Sequence, residues 1–155
     1  WGMASGVNVQ AEQLRWLGAM RYSVSAVINI MTFFKKRRLQ MKLADNLVDS
    51  NCLFFVALNT IHTGKGMKMA PHAKLNDGLI DTILVRDVSK LRAVKIFTQV
   101  FSGSHIFDSS VEYQQVKTFS IHTKGDLLNI DGENTGHTPI DVSVVPNALQ
   151  IFADL

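Results

Sequence analysis

Apolar positions at Leu39, Met41 and Leu43 alternate with Gln40 and Lys42, the period of a strand buried on one face. Residues 52–58 form an unbroken apolar run of strand length, which predicts a central strand. Residues 79–85, 111–122, 127–130, 140–145 and 148–152 read as further strands, with Pro146-Asn147 as a hairpin turn between the last two. Residues 3–10 fit a strand or strand end. Helical spacing occurs twice. Residues 11–34 are good helix formers broken at Gly18, which predicts a short helix over 11–17 and a longer one over 20–34. The longer helix places Met20, Val24, Val27, Ile28, Met31 and Phe34 on one face. The run Lys35-Lys36-Arg37-Arg38 then suits its C-terminus, where exposed carbonyls are partially negative. Ser89 is an N-cap for a second helical segment with Leu91, Val94, Phe97, Val100 and Phe101 on its apolar face, and Gly103 stops it. Residues 59–76 have no period and read as a long loop, closed by the turn Asn76-Asp77-Gly78. The expected fold is mainly β with α: an antiparallel β-sandwich with inserted helices, one domain over residues 1–155.

Composition agrees with a packed domain. The chain has 155 residues, 46% hydrophobic and 19% charged, enough for one core and too little for two. The lone Cys52 excludes an internal disulfide and a Cys-rich zinc site. The longest uncharged apolar candidate, residues 22–34, has 13 residues and is too short to span a bilayer. The opening Trp-Gly-Met has no basic leader, so the expectation is a cytoplasmic chain cut from a longer protein.

Charge is uneven. Residues 1–75 carry ten basic and three acidic side chains, and residues 76–155 carry six and ten. Such a split suggests that one end faces an anion: nucleotide phosphates, a lipid surface or an acidic partner. Residues 22–34 with the basic run behind them could also rest on an anionic membrane. Basic patches interleaved with aromatics are missing, which argues against nucleic acid.

Phosphate-loop, dinucleotide, zinc-protease and nucleophile-elbow motifs are all absent. The five histidines stand singly, without ligand spacing. Three groups could carry chemistry. Arg15 and Arg21 flank Gly18, and guanidinium forks suit phosphate; equally, they could be two solvated helix cations. Asp77, Asp81 and a turn carbonyl could hold a hard cation, or could simply form a turn that caps a strand. Asp131-Gly132-Glu133 sets two carboxylates about a glycine, fit to organise magnesium or polarise a hydroxyl, or to make a polar hairpin.

Taken in order, residues 10–22 (QAEQLRWLGAMRY), 57–60 (ALNT), 66–81 ending NDGLID, and 128–133 (LNIDGE) resemble the C-terminal domain of the diacylglycerol kinase and sphingosine kinase family of lipid kinases. The resemblance spans nearly the whole chain. It implies a lipid-binding β-sandwich packed against a separate N-terminal nucleotide-binding kinase domain, with ATP and Mg2+ as cofactors and a sphingoid base or diacylglycerol as substrate. By the same resemblance Arg15 and Arg21 contact ATP phosphates, and Asp131 and Glu133 lie at the reaction centre. Asp77 and the Leu79 carbonyl match a structural magnesium region, although Asn76 stands where relatives often have Asp. Asn8 aligns with an Asp that reads the substrate amine in sphingosine kinases. Leu17, Val24, Val27, Ile28 and Met31 would sheathe the lipid chain. The family's Gly-Gly-Asp-Gly motif is not in these residues, so the chain alone is expected to be inactive and the whole enzyme peripherally membrane-associated. The competing expectations are a non-catalytic lipid-binding module and a sandwich that binds only its own N-terminal partner.

Overall fold

The computed structural model describes residues 1, 34–64 and 66–150. The expectations for residues 3–10, 11–17, 20–33 and 151–152 therefore lie outside the described residues. Eight strands and one α-helix make up the regular structure described: β1 (Arg37–Leu43), β2 (Asn46–Leu58), β3 (Ile80–Arg86), α1 (Lys90–Gln99), β4 (Val111–Val116), β5 (Thr118–Ile121), β6 (Leu127–Ile130), β7 (Glu133–His137) and β8 (Ile140–Ser143). A short 3-10 helix, Ser104–Phe107, follows α1.

Six strands form one antiparallel sheet in the order β4-β3-β2-β1-β5-β8, and β6 and β7 form a separate hairpin. Strand β2 serves two partners in turn. Its first half, Asn46 to Cys52, pairs with β1, and from Cys52 to Leu58 it pairs with β3, with an irregularity between Cys52 and Phe54. The connection from β4 to β5 makes the sheet curl. A single residue, Lys117, separates them, yet they sit four positions apart in the order. Four strand spacings of about 4.8 Å come to roughly 19 Å in a flat sheet. Two Cα steps reach at most about 7.6 Å. The ends must therefore fold toward each other, which produces the sandwich.

The residues 111–122 predicted as one strand are accordingly two. Val116 still pairs with Ile80 of β3, whereas Thr118 already pairs with Ser143 of β8. The core divides by the two-residue period of β3. Leu84 joins Leu39, Met41, Leu43, Phe55, Phe119 and Ile121 on one face, with Leu128 of the hairpin over them. Ile83 and Val85 point the other way, to Leu53, Val111 and α1.

Helix α1 starts where expected: the Ser89 hydroxyl accepts the Arg92 N–H at 3.3 Å. Its buried stripe is Ala93, Ile96 and Val100, spaced i, i+3, i+7. The expected face was wrong at both ends, since Leu91 is 78% and Phe101 38% exposed. The sheet buries a narrow stripe, with Val94 and Phe97 half-buried beside it, and leaves Leu91 outside. Phe34 and the basic run also differ from expectation. Phe34 has no helical structure, and Arg37 and Arg38 open β1. Pro146-Asn147 does turn, with Asn147 at φ 56, but residues 148–150 are not strand.

Candidate active-site half

The hairpin β6–β7 carries Asp131 and Glu133. Ile130 pairs with Glu133, so Asp131 and Gly132 are the two loop residues. Their φ values are 50 and 93, positive at both positions as a type I′ turn requires. Asp tolerates this region and glycine favours it, which is why Asp-Gly fits here. Both carboxylates are exposed, and among the described residues neither has a hydrogen-bond or ion-pair partner. They are hard oxygen donors on a fixed turn, the chemistry that magnesium or a hydroxyl proton would use. Strand β7 (ENTGH) is exposed along its length; with no apolar alternation it could not be seen in the sequence.

The hairpin is fixed at its root. Asp126 stands just before β6 and its carboxylate takes two donors: Trp1 Nε1 at 2.7 Å and Arg37 Nη1 at 2.8 Å. Its main chain is tied to the far strand's end. Asp126 N–H donates to Thr138 Oγ1 at 3.0 Å, and Thr138 N–H returns a bond to Asp126 O at 2.9 Å. Trp1 is held in turn by Phe55, its nitrogen donating to the Phe55 carbonyl at 3.1 Å and its carbonyl accepting from Phe55 N–H at 3.3 Å. That contact lies on the part of β2 which β1 has already left. The importance of Asp126 and Trp1 had no local signal, because their partners are 125 and 54 residues away.

Asp77 caps its own turn. Its Oδ1 accepts the Leu79 N–H at 2.9 Å, across Gly78 at φ 69. That leaves one carboxylate oxygen and the Leu79 carbonyl, too few to hold a cation without water or further ligands. Asp81 does not help. It is fully buried on β3, where its Oδ1 accepts the Tyr113 hydroxyl and, at 3.1 Å, Gln115 Nε2, while Oδ2 has no partner among the described residues. Burial first, and then the Asp81 carboxylate, push the Tyr113 hydroxyl's pKa far above its usual value. The idea that Asp77 and Asp81 share a cation is therefore corrected: the sheet interior claims Asp81. No cluster of three or more His, Cys, Asp or Glu able to hold a metal exists among the described residues. Leu79 instead lines a groove of about 570 Å³ with Lys42, Lys117, Ser120 and Asp141. Strand pairing assembles it, Lys42 lying opposite Ser120 and Ser120 opposite Asp141.

Three of the four cations in the basic run are engaged inside the molecule. Lys36 pairs with Asp87, Arg37 with Asp126, and Arg38 grips Asp49 through two bonds of 2.6 and 2.9 Å. The run is thus an ion-paired strand entrance rather than a free membrane patch. Asn8, Arg15, Leu17, Arg21, Val24, Val27, Ile28 and Met31 lie outside the described residues.

The chain matches over residues 1–153 the family model described as the YegS C-terminal NAD kinase beta sandwich-like domain. A diacylglycerol kinase of Mycobacterium tuberculosis is 28% identical over 156 residues, covering 97% of this chain and 49% of that protein. A "probable lipid kinase YegS-like" of Chromohalobacter salexigens is 34% identical over 103 residues, covering 65% and 33%. Among solved structures, a diacylglycerol kinase from Bacillus anthracis superposes with a TM-score of 0.67 at 18% identity, over 88% of this chain and 47% of that one, a likeness of fold. The chain spans half or less of the length of these relatives. With its curled antiparallel sheet, the chain belongs to the YegS C-terminal NAD kinase beta sandwich-like domain family.

Proposed function

We propose that the full-length protein transfers the γ-phosphoryl group of ATP to a primary hydroxyl of a membrane lipid, and that this chain is the lipid-binding half of the site. The family match over residues 1–153, with two exposed carboxylates on the β6–β7 turn, carries the reading. Diacylglycerol is the favoured acceptor, because relatives of both kinds bear that name. A sphingoid base is the second choice, since Asn8 can accept a hydrogen bond but cannot pair an amine's charge.

In this reaction the acceptor oxygen forms a bond to γ-phosphorus as the bond to the bridging oxygen breaks, ADP leaves, and the hydroxyl proton passes to a base. Such transfer needs positioning and neutralisation more than covalent chemistry. Arg15 and Arg21 would meet the phosphate oxygens. Asp131 and Glu133 would hold Mg2+ or orient the acceptor hydroxyl. Mg2+, when bound with ATP, supplies charge neutralisation at the phosphoryl oxygens. Leu17, Val24, Val27, Ile28 and Met31 would sheathe the lipid chain. The nucleotide-holding half lies in the rest of the parent, so this chain alone should not turn over.

The test is phosphate transfer from labelled ATP by the full-length protein, to diacylglycerol and to sphingosine in mixed micelles, with Mg2+ and with a chelator. Asp131→Asn, Glu133→Gln and Arg21→Ala should each lower turnover by about 100-fold or more, with unchanged melting for the two exposed turn variants. Undiminished turnover in all three would sink the assignment. Lipid binding that ignores ATP in the full-length protein would favour the non-catalytic module.

A further inference from the structure

Strand register builds the groove of about 570 Å³ beside Leu79. Lys42 of β1 and Asp141 of β8 both lie opposite Ser120 of β5, one on each side, so their Cα atoms stand about 10 Å apart. Along the strands these residues alternate with Met41, Leu43, Phe119, Ile121, Ile140 and Val142, which face the core, so the row belongs to the outer face of the sheet. Lys117, between β4 and β5, and Asp45, between β1 and β2, complete the charged lining. The groove thus holds two lysines and two aspartates, and among the described residues none of the four enters an ion pair or a side-chain hydrogen bond. Elsewhere Arg37, Arg38, Arg86 and Arg92 each hold a carboxylate. Here the register keeps Lys42 and Asp141 apart.

That separation decides the ligand class. An anion alone would meet two carboxylates, and a cation alone would meet two ammonium groups. A ligand with both signs, spaced along the row, matches both. The volume is that of a small-ligand site. Lysines with the hydroxyls of Thr118 and Ser143 suit the several oxygens of a phosphate, and a carboxylate suits a primary ammonium. We infer that this groove binds the phosphate-and-ammonium zwitterion of an ethanolamine phosphodiester, with Lys42 and Lys117 at the phosphate and Asp141 at the ammonium. The four lining charges sum to zero, as do those of the ligand. A phospholipid head and a soluble glycerophosphodiester present this same chemistry. The inference stands apart from phosphoryl transfer, and its readout needs neither ATP nor turnover.

The test is ligand-observed NMR titration of the full-length protein with glycerophosphoethanolamine. Wild type should bind it saturably. Glycerophosphoglycerol, which lacks the ammonium, and ethanolamine, which lacks the phosphate, should each bind about fivefold more weakly or worse. Lys42→Ala with Lys117→Ala should remove binding, and Asp141→Asn should reduce glycerophosphoethanolamine to the level of glycerophosphoglycerol. All three positions are exposed, so the variants should melt as wild type does. Sedimentation with phosphatidylcholine vesicles, with and without about half phosphatidylethanolamine, separates the two sources, because a quaternary ammonium has no N–H to give Asp141. Retention by the ethanolamine vesicles that the lysine pair variant loses supports the site with a lipid head as its occupant. Binding of the soluble diester without vesicle retention supports it with a soluble occupant. No saturable binding of glycerophosphoethanolamine, equal binding of glycerophosphoglycerol, or undiminished binding by the variants overturns the inference.

Discussion

Replacing Asp126 with Ala removes the acceptor that joins three distant pieces of chain: Trp1, the start of β1 at Arg37, and the root of the β6–β7 hairpin. The two lost bonds differ in weight. Trp1 is 6% exposed, so its indole N–H would lose a charged acceptor with little access to water, at about 1–3 kcal/mol. The Arg37 side chain is 41% exposed, so its ion pair is screened and contributes about 0–1 kcal/mol. Together the substitution should cost about 1–4 kcal/mol. For a unit of this size that lowers the melting midpoint by roughly 2–16 °C. The assay is urea unfolding of the full-length protein, followed by far-ultraviolet circular dichroism. Hydrogen exchange gives the local signature: amides of β6 and β7 should exchange faster, while those of β3, paired on both sides within the six-stranded sheet, fall only with global stability. Arg37→Ala in the Asp126→Ala background should cost almost nothing more, since the shared acceptor is already gone. A measured loss below about 0.5 kcal/mol, the scatter of ordinary surface substitutions, would refute the claim that Asp126 fixes the hairpin.

Two further outcomes follow from buried polar groups. Tyr113→Phe deletes the hydroxyl that Asp81 Oδ1 accepts and leaves a buried carboxylate with Gln115 alone; chemical denaturation should show a loss of about 1–3 kcal/mol, and a neutral result would mean that the carboxylate is satisfied some other way. His105 is 1% exposed, with Nε2 bonded to the Met69 carbonyl at 3.0 Å and Nδ1 buried without a partner among the described residues. Burial lowers its pKa from the ordinary 6.5, the Met69 bond opposing in part, so the fold prefers the neutral ring. Its stabilisation is complete above the unfolded value and is lost as pH falls from 6.5 through the lower folded value. His105→Gln should flatten the stability profile over that acid interval, and an unchanged slope would count against the assignment.

What the sequence revealed of the fold depended on whether a position's role was set locally. Strands β1 and β3 and the second half of β2 were legible because alternation and apolar runs report burial directly, whereas the first half of β2, from Asn46, was not predicted. Ser89 was legible because a cap acts within three residues. The break at Lys117 was invisible, because the residues on either side are equally strand-like and only the change of partner, from β3 to β1 and β8, divides them. The face of α1 was misjudged for a related reason. Apolar spacing gave a broad arc, but the sheet selected Ala93 and Ile96, leaving Leu91 to solvent.

The candidate site divides along the same line. Asp131-Gly132-Glu133 could be placed on a turn, because positive φ at two successive positions has a sequence signature. That the turn is held by Trp1 and Arg37 through Asp126 could not, since nothing near residue 126 marks a carboxylate as a long-range acceptor. The basic run shows the converse error. Four adjacent cations look like a surface for an anionic partner until pairing brings Asp49, Asp87 and Asp126 to three of them. Local charge density is therefore a poor guide to a partner where strand pairing brings carboxylates to the cations.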